Sequence, residues 1–189
     1  MLIINGAGRD VTILQGMLVI NNTNAYVRNL SISPRADQLT LLNGITPAFA
    51  HIASGGVCSY TNIAVISPTI SSGDSKSYES FCCDTNSFGT LNGDCKIHTA
   101  SNYSIPVAVS AGAGFALTGS LELSGTCSRV FNITSYGYFY FSGSPSITGS
   151  ITGSKYWVGN FGLLNLRGQG ANIIPASVEG ELGEYGLIM

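Results

Sequence analysis

The chain has 189 residues and a formal net charge of −2, and only 10% of its residues are charged although 44% are hydrophobic. An ordinary soluble domain is about 25% charged, so this composition excludes a highly charged disordered chain and a surface made of amphipathic helices. The eight basic residues are scattered, which argues against a nucleic-acid-binding surface. Strands under a surface of Ser, Thr, Asn and Gly are expected instead, and the predicted class is all-β.

The beginning of the chain shows no targeting signal. Residues 1–6 contain neither a basic segment nor a long apolar run, so a secretory signal is not expected. No run of 18 apolar residues occurs, and membrane insertion is not expected either. Residues 3–14 already have the pattern of a domain interior. The sequence is therefore compatible with a whole protein and with the C-terminal end of a longer one.

Short alternating or apolar runs, each bounded by Gly, Asn, Ser or Pro, predict strands along the chain. The predicted strands lie at residues 11–14, 17–20, 30–32, 63–65, 121–123, 131–133 and 138–141. No window of eleven residues has a helical period. Helix content is therefore predicted to be small, with one short piece near Pro47 to Ile52.

A weak internal echo links two of these runs. Residues 27–34 and 61–68 each place an asparagine, Asn29 or Asn62, before an alternating strand that ends in Ser-Pro. Asparagine tolerates the left-handed backbone of a tight turn. Echoes at such periods are typical of stacked architectures, so one asparagine is predicted to stack on the other, as at the turns of a parallel β-helix.

Residues 67–102 form a polar stretch that carries six of the chain's eighteen charged residues. We interpret this stretch as an excursion of loops and irregular strands from the main stack. Loops on a rigid scaffold are where binding groups concentrate. Tyr78 and Phe81 in the excursion, with Tyr103 beside it, are candidate receptor contacts.

Five cysteines and the absence of a signal sequence argue against a disulfide framework. Cys82, Cys83, Cys95 and His98 suggest a zinc site, but adjacent cysteines in a strand point to opposite faces and can hardly bind one ion. The favoured interpretation is that all the cysteines are free and buried as small apolar residues. No metal and no cofactor is predicted.

The end of the chain has a recognisable pattern. Thr152-Gly153-Ser154-Lys155-Tyr156-Trp157-Val158 is followed by Gly162-Leu163-Leu164-Asn165, then by Gly168-Gln169-Gly170 and Pro175. This order resembles a C-terminal module of bacteriophage tail spikes and tail fibres, over about 25–30 residues. Ala176 departs from the family pattern, which has glycine there. Residues 4–14 are similar to the coils of right-handed β-helices of the pectate-lyase type.

The resemblance implies a right-handed parallel β-helix over residues 1–148, followed by a small β-rich cap and trimerisation module over residues 149–189. It further implies a homotrimer in the virion tail, assembled in the bacterial cytoplasm beside other tail proteins. The expected function of the protein is attachment of the phage to a bacterial surface receptor, and the favoured interpretation is that this receptor is a glycan. The alternative is a polysaccharide depolymerase, either a glycoside hydrolase or a lyase.

A depolymerase needs a pair of carboxyl groups about 5–9.5 Å apart. Glu79, Asp84, Asp94 and Glu122 are the weak candidates. Glu122 would project from a strand face, and Arg129 could serve it in a lyase. His51 and His98 are isolated and are interpreted as surface or hydrogen-bonded residues, so binding is favoured over catalysis.

Aromatic residues give the best binding hypothesis. Tyr136, Tyr138 and Tyr140 share one face of a predicted strand, whereas Phe139 and Phe141 share the other. The phenylalanine face is predicted to enter the core. The tyrosine face suits an intersubunit seam or a platform for sugar stacking, and the seam is favoured.

Overall fold

The computed structural model describes residues 1–34, 48–68 and 78–189, which form strands and one short 3₁₀ helix, Ala171–Ile173. The strands in chain order are β1 (Leu2–Asn5), β2 (Ile13–Leu14), β3 (Leu18–Asn21), β4 (Asn24–Arg28), β5 (Ser31–Ile32), β6 (Ala48–Ala53), β7 (Val57–Thr61), β8 (Ala64–Ile66), β9 (Tyr78–Cys83), β10 (Phe88–Asn92), β11 (Asp94–Ala100), β12 (Ser104–Val109), β13 (Gly114–Leu117), β14 (Ser120–Ile133), β15 (Tyr138–Phe141), β16 (Ser146–Val158), β17 (Leu163–Asn165), β18 (Ala176–Val178), β19 (Glu181–Leu182) and β20 (Leu187–Ile188). The all-β prediction is confirmed. No helix within these ranges is long and apolar enough to span a membrane.

The strands form two parallel sheets. The eight-stranded sheet has the order β1-β4-β7-β10-β13-β15-β17-β20, and the other sheet has twelve strands. In the first half of the chain, one strand joins the eight-stranded sheet and the next two join the twelve-stranded sheet. From β14 onward a single long strand replaces those two, because β14 pairs with β11 along its first part and with β12 along its second. Neighbouring strands are therefore far apart in sequence, as parallel pairing requires.

The core lies between the sheets and consists of in-register rows of apolar side chains. One row of the eight-stranded sheet contains Phe115 and Phe139, whose ring centroids are 6.2 Å apart. Phe131 of the twelve-stranded sheet packs against Phe139 with centroids 4.6 Å apart. All three rings are fully buried. Phe139 and Phe141 thus belong to the core as predicted.

The predicted asparagine stack is confirmed. The Asn62 side-chain amide donates to Asn29 Oδ1 at 3.2 Å, and the Asn29 amide donates to Asn5 Oδ1 at the same distance. Asn29 and Asn62 have left-handed φ angles of 57° and 53°. We call Asn5, Asn29 and Asn62 the asparagine ladder; each amide satisfies its neighbour while the backbone makes a tight turn.

A glycine allows the long strand β14 to bend between its two partners. Gly125 has a φ of 96°, and a Cβ at this position would overlap the carbonyl oxygen of Thr99 on β11. The register with β16 shifts just beyond it, between Thr126 and Arg129. Only glycine combines this backbone angle with such a close approach.

Three expectations about organisation require correction. Residues 78–100 form the regular strands β9, β10 and β11 rather than an irregular excursion, and residues 69–77 lie outside the described ranges. In β11 the charged side chains alternate with buried ones, which is the pattern of a half-buried strand. Residues 48–53 form β6 and not a helix; Pro47 lies outside the described residues.

The predicted division at residue 149 falls inside a strand. Residue 149 belongs to β16, which stays in register with β14 on both sides of that point. Ile151, Val158 and Leu164 are part of the same buried cluster as the residues of the first half. The core therefore continues through the predicted boundary, because the tail adds further strands to sheets that are already present.

Candidate functional site

Tight turns of one kind connect the twelve-stranded sheet to the eight-stranded sheet. Five of them have two successive left-handed residues, as in type I′ turns. These pairs are Ser54–Gly55, Thr85–Asn86, Ala111–Gly112, Ser135–Tyr136 and Asn160–Phe161. Backbone hydrogen bonds join consecutive turns, for example from Gly112 N to Ser135 O at 3.0 Å and from Tyr136 N to Asn160 O at 3.1 Å. The turns are therefore stacked along one edge of the molecule.

The last turns of this stack carry an exposed set of aromatic rings. Tyr136 and Phe161 are 4.9 Å apart between centroids with an interplanar angle of 1°, and Phe161 and Tyr185 are 4.5 Å apart at 5°. Their side chains are accessible, with exposed fractions of 66%, 49% and 64%. We call Tyr136, Phe161 and Tyr185 the aromatic ladder.

The residues of the aromatic ladder have a left-handed backbone conformation that is unfavourable for bulky side chains. Tyr136, Phe161 and Tyr185 have φ angles of 63°, 63° and 55°. The corresponding positions of earlier turns hold Gly55, Asn86 or Gly112, the residue types that adopt this conformation readily. A bulky residue there costs roughly 1–2 kcal/mol, whereas a stacked aromatic pair returns about 0.5–1.5 kcal/mol.

Over the whole aromatic ladder, the backbone strain of the turns can be compared with the energy of ring stacking. Three strained positions cost about 3–6 kcal/mol in total, and two ring contacts return about 1–3 kcal/mol. Glycine or asparagine would form the same turns at lower cost. The backbone of the turn therefore does not require aromatic residues at these positions, and the exposure of their rings points to contact with another molecule.

The tyrosine face predicted from the sequence divides into two parts. Tyr136 precedes β15 and belongs to the turn, so it does not share a strand face with the other two tyrosines. Tyr138 and Tyr140 do share one, with ring centroids 6.1 Å apart. Tyr138 is 37% exposed, and Tyr140 also contacts Phe88 of β10 at 6.3 Å.

Tyr138 belongs to an apolar row on the outward face of the eight-stranded sheet. We call this row the outer stripe; its members are in register across neighbouring strands. They are Val57, Phe88, Gly114, Tyr138, Leu163 and Leu187. Val57, Tyr138 and Leu187 are exposed, Phe88 and Leu163 are half-buried and Gly114 is buried. Exposed apolar residues grouped on one face are a feature of interaction surfaces.

Tyr78 and Phe81 are not surface contacts. Both side chains are buried, with exposed fractions of 2% and 0%, and the Phe81 ring packs against Tyr60 at 5.1 Å. Tyr103 is half-buried, and its backbone N–H donates to Ser101 Oγ. The prediction of accessible receptor contacts at Tyr78 and Phe81 is therefore wrong, because β9 is an interior strand of the twelve-stranded sheet.

Two of the candidate carboxylates lie on an exposed strand face. Glu122 is half exposed and forms an ion pair with Lys96 at 2.6 Å. Asp94 accepts a hydrogen bond from Ser120 Oγ at 2.6 Å. Arg129 does not join Glu122: its guanidinium carbon lies 5.8 Å from the centroid of the Trp157 ring. The structure therefore does not form the Glu122–Arg129 pair that was considered for a lyase.

The other two carboxylates are withdrawn from the surface. Glu79 is 8% exposed, and its burial raises the pKa of the carboxyl group to about 7. Asp84 Oδ2 lies 2.8 Å from His51 Nε2. A polysaccharide cannot reach Glu79 in this arrangement without a rearrangement of the surrounding chain, which weakens the case for a hydrolytic pair.

The cysteines are free and buried, as predicted. The proposed quartet of zinc ligands is not assembled: Cys83 and Cys95 belong to the core, whereas His98 lies on the exposed face and contacts Ser124 Oγ. Burial raises the pKa of the Cys83 thiol to about 12. Reactive thiolates are therefore not expected at this position.

Comparison with protein-family models, with curated proteins and with solved structures gives no match. Function must therefore be inferred from the site. Sequence reasoning included Tyr136 but missed Phe161 and Tyr185. The available signal was a repeated dipeptide, an aromatic residue followed by glycine, at Tyr136-Gly137, Phe161-Gly162 and Tyr185-Gly186.

Proposed function

We propose that this chain is a receptor-binding component of a bacteriophage tail fibre or tail spike, built as a right-handed parallel β-helix. The fold supports the proposal through its parallel sheets, whose strands are joined by stacked turns. The C-terminal pattern from Thr152 to Pro175 supports it through its resemblance to the tail modules. The proposed location is the virion tail, after assembly in the bacterial cytoplasm.

The aromatic ladder is the observation that carries the binding function. Its exposed rings combine apolar faces and edges with the hydroxyl groups of Tyr136 and Tyr185. Such amphipathic rings suit a sugar, which has apolar C–H faces and polar rims. The low charge of the chain agrees with an uncharged or weakly charged ligand. We therefore assign a bacterial surface glycan as the receptor class.

The outer stripe is the proposed subunit seam of a homotrimer. Its exposed apolar members, among them Val57 and Leu187, would be removed from water where three copies bring this face together around a three-fold axis. Tyr138 lies in the middle of the row and would be a central contact. This arrangement leaves the aromatic ladder, which lies at the turns rather than on the sheet face, available to the receptor.

The binding proposal is tested with immobilised O-antigen and capsular polysaccharides from a panel of bacteria. Wild-type protein is expected to bind at least one of them, and Phe161→Gly is expected to lose that binding. Phe161→Tyr keeps the ring and should bind normally. Val11→Ala, at an exposed apolar residue outside the aromatic ladder, is the remote control. Binding that survives Phe161→Gly would contradict the assignment of the aromatic ladder.

The second candidate function is a polysaccharide depolymerase. The observation in its favour is Glu79, whose pKa of about 7 is that of a general acid and which feels the charge of Asp84. Incubation with the same polysaccharides, followed by size-exclusion chromatography, decides between the functions. If the wild-type protein shortens the polysaccharide and Glu79→Gln leaves it at full length, the protein is an enzyme. A binding protein is expected to leave the polysaccharide at full length in both cases.

A further inference from the structure

A polar cluster on the twelve-stranded sheet has no part in the proposed binding function. His51 of β6 and Cys82 of β9 are register partners on adjacent strands, and Asp84 follows β9 directly. His51 and Cys82 alternate with core residues of their own strands, so they lie on the sheet face opposite the core. Both side chains are nevertheless buried, each 6% exposed.

The potential ligand atoms of this cluster converge. The imidazole nitrogen of His51, the sulfur of Cys82 and a carboxylate oxygen of Asp84 all lie within 4.8 Å of one another. The closest pair is His51 Nε2 and Asp84 Oδ2 at 2.8 Å. Zinc with tetrahedral bonds of about 2.0–2.3 Å separates its ligands by roughly 3.3–3.8 Å. Each separation would therefore have to change by no more than about 1.5 Å for the three atoms to bind one ion.

One carboxylate oxygen of the cluster has no hydrogen-bond partner. Asp84 Oδ1 is buried and accepts no hydrogen bond, although its partner oxygen contacts His51. The Glu79 carboxyl group is also buried here and forms a hydrogen bond with the Cys82 thiol. A buried acceptor without a partner is costly, and the cluster holds two acidic side chains with a single imidazole beside them.

We propose that His51, Cys82 and Asp84 form a site for one zinc ion. Imidazole nitrogen, thiolate sulfur and carboxylate oxygen are the three ligand types that zinc takes in proteins. On binding, the Cys82 thiol releases its proton to solvent and the bond between His51 and Asp84 is replaced by two bonds to the metal. The thiolate and carboxylate charges then balance the charge of the cation.

Glu79 is a positioning residue of this site. Its carboxyl group contacts Cys82 and would orient the sulfur toward the ion, as outer partners of metal ligands commonly do. The ion would join β6 to β9 from the face opposite the core. The site therefore acts as a clamp between two neighbouring strands, independently of any receptor.

The test uses wild-type protein that has been stripped with a chelator and kept reduced. Cobalt(II) is added as the spectroscopic probe, and zinc is added in calorimetric and thermal-unfolding experiments. We expect one ion per chain, a thiolate-to-cobalt charge-transfer band, displacement of cobalt by zinc, and a Tm that rises with zinc concentration. The absence of the band, or a Tm that does not respond to zinc, would overturn the proposal.

Variants locate the site. Cys82→Ser should abolish the charge-transfer band, and Asp84→Asn should weaken zinc binding at least tenfold. Cys127→Ala removes another buried thiol and should leave binding intact. Should Cys82→Ser fail to fold, alkylation of wild-type protein replaces it: zinc must slow modification of Cys82 and not of Cys127. Equal protection of both thiols, or a band that persists in Cys82→Ser, would refute the assignment.

Discussion

Replacement of Phe161 by glycine tests the central argument about the aromatic ladder. Phe161 is the middle ring, so its removal breaks both stacked contacts at once, at 4.9 and 4.5 Å. Glycine adopts the left-handed φ of 63° without strain. The substitution therefore removes the aromatic surface and improves the turn in a single step.

The expected effect on stability is small. Two ring contacts contribute about 1–3 kcal/mol, and the buried half of the side chain contributes about 1 kcal/mol. Relief of the left-handed conformation returns about 1–2 kcal/mol. The free energy of unfolding should therefore fall by about 1–2 kcal/mol, against about 3–5 kcal/mol for Phe139→Ala in the core.

Urea unfolding followed by circular dichroism measures both variants, with the slope m checked for constancy. Polysaccharide binding is measured on the same preparations. We expect Phe161→Gly to be folded and deficient in binding, and Phe139→Ala to be the less stable protein. A loss of about 4 kcal/mol or more in Phe161→Gly would show that the aromatic ladder is needed for folding and would refute the reasoning from turn strain.

The remaining predictions concern assembly, the fold and charge. Tyr138→Ala should weaken the trimer, measured by light scattering over a dilution series, more than it weakens receptor affinity; an intact trimer with lost adsorption would contradict the seam. Gly125→Ala should destabilise the protein by more than about 1 kcal/mol, because Cβ meets the Thr99 carbonyl and φ is 96°; an unchanged unfolding midpoint would refute this. With a chelator present to remove metal ions, the free energy of unfolding should fall by up to about 3 kcal/mol as pH rises from about 4.5 to about 7. The reason is that Glu79 in the folded protein keeps a proton that the unfolded chain has released. Glu79→Gln should remove this dependence of stability on pH. Receptor binding should change little between low and physiological salt, because few charges are available to be screened.

Sequence patterns predicted the strand class and several strands well. The alternation at residues 138–141 corresponds to β15, and the runs at 121–123 and 131–133 are both parts of β14. The echo between Asn29 and Asn62 led to a hydrogen-bonded stack that the structure contains. These successes share a cause: local alternation and left-handed asparagines are properties of a few consecutive residues.

The failures share a different cause. Residues 78–100 looked like a loop because their charged residues obscured the alternation of β11, and because both faces of β9 are buried. A strand that is covered on both sides has no period-two signature. His51 and Cys82 are 31 residues apart in sequence and become neighbours because β6 pairs with β9. No local sequence pattern reveals such a pairing.

Two ladders along the edges of the molecule differ in what explains them. The asparagine ladder is self-sufficient, because each side-chain amide bonds to the next and asparagine suits the left-handed turn. The aromatic ladder satisfies no hydrogen bond of the turns and strains their backbone. Asparagine therefore suits both its turn and its stack, whereas Tyr136, Phe161 and Tyr185 are unfavourable for the backbone of the turn and remain exposed. Contact with a ligand would explain the second ladder, which is why receptor binding is proposed there and not at the asparagines.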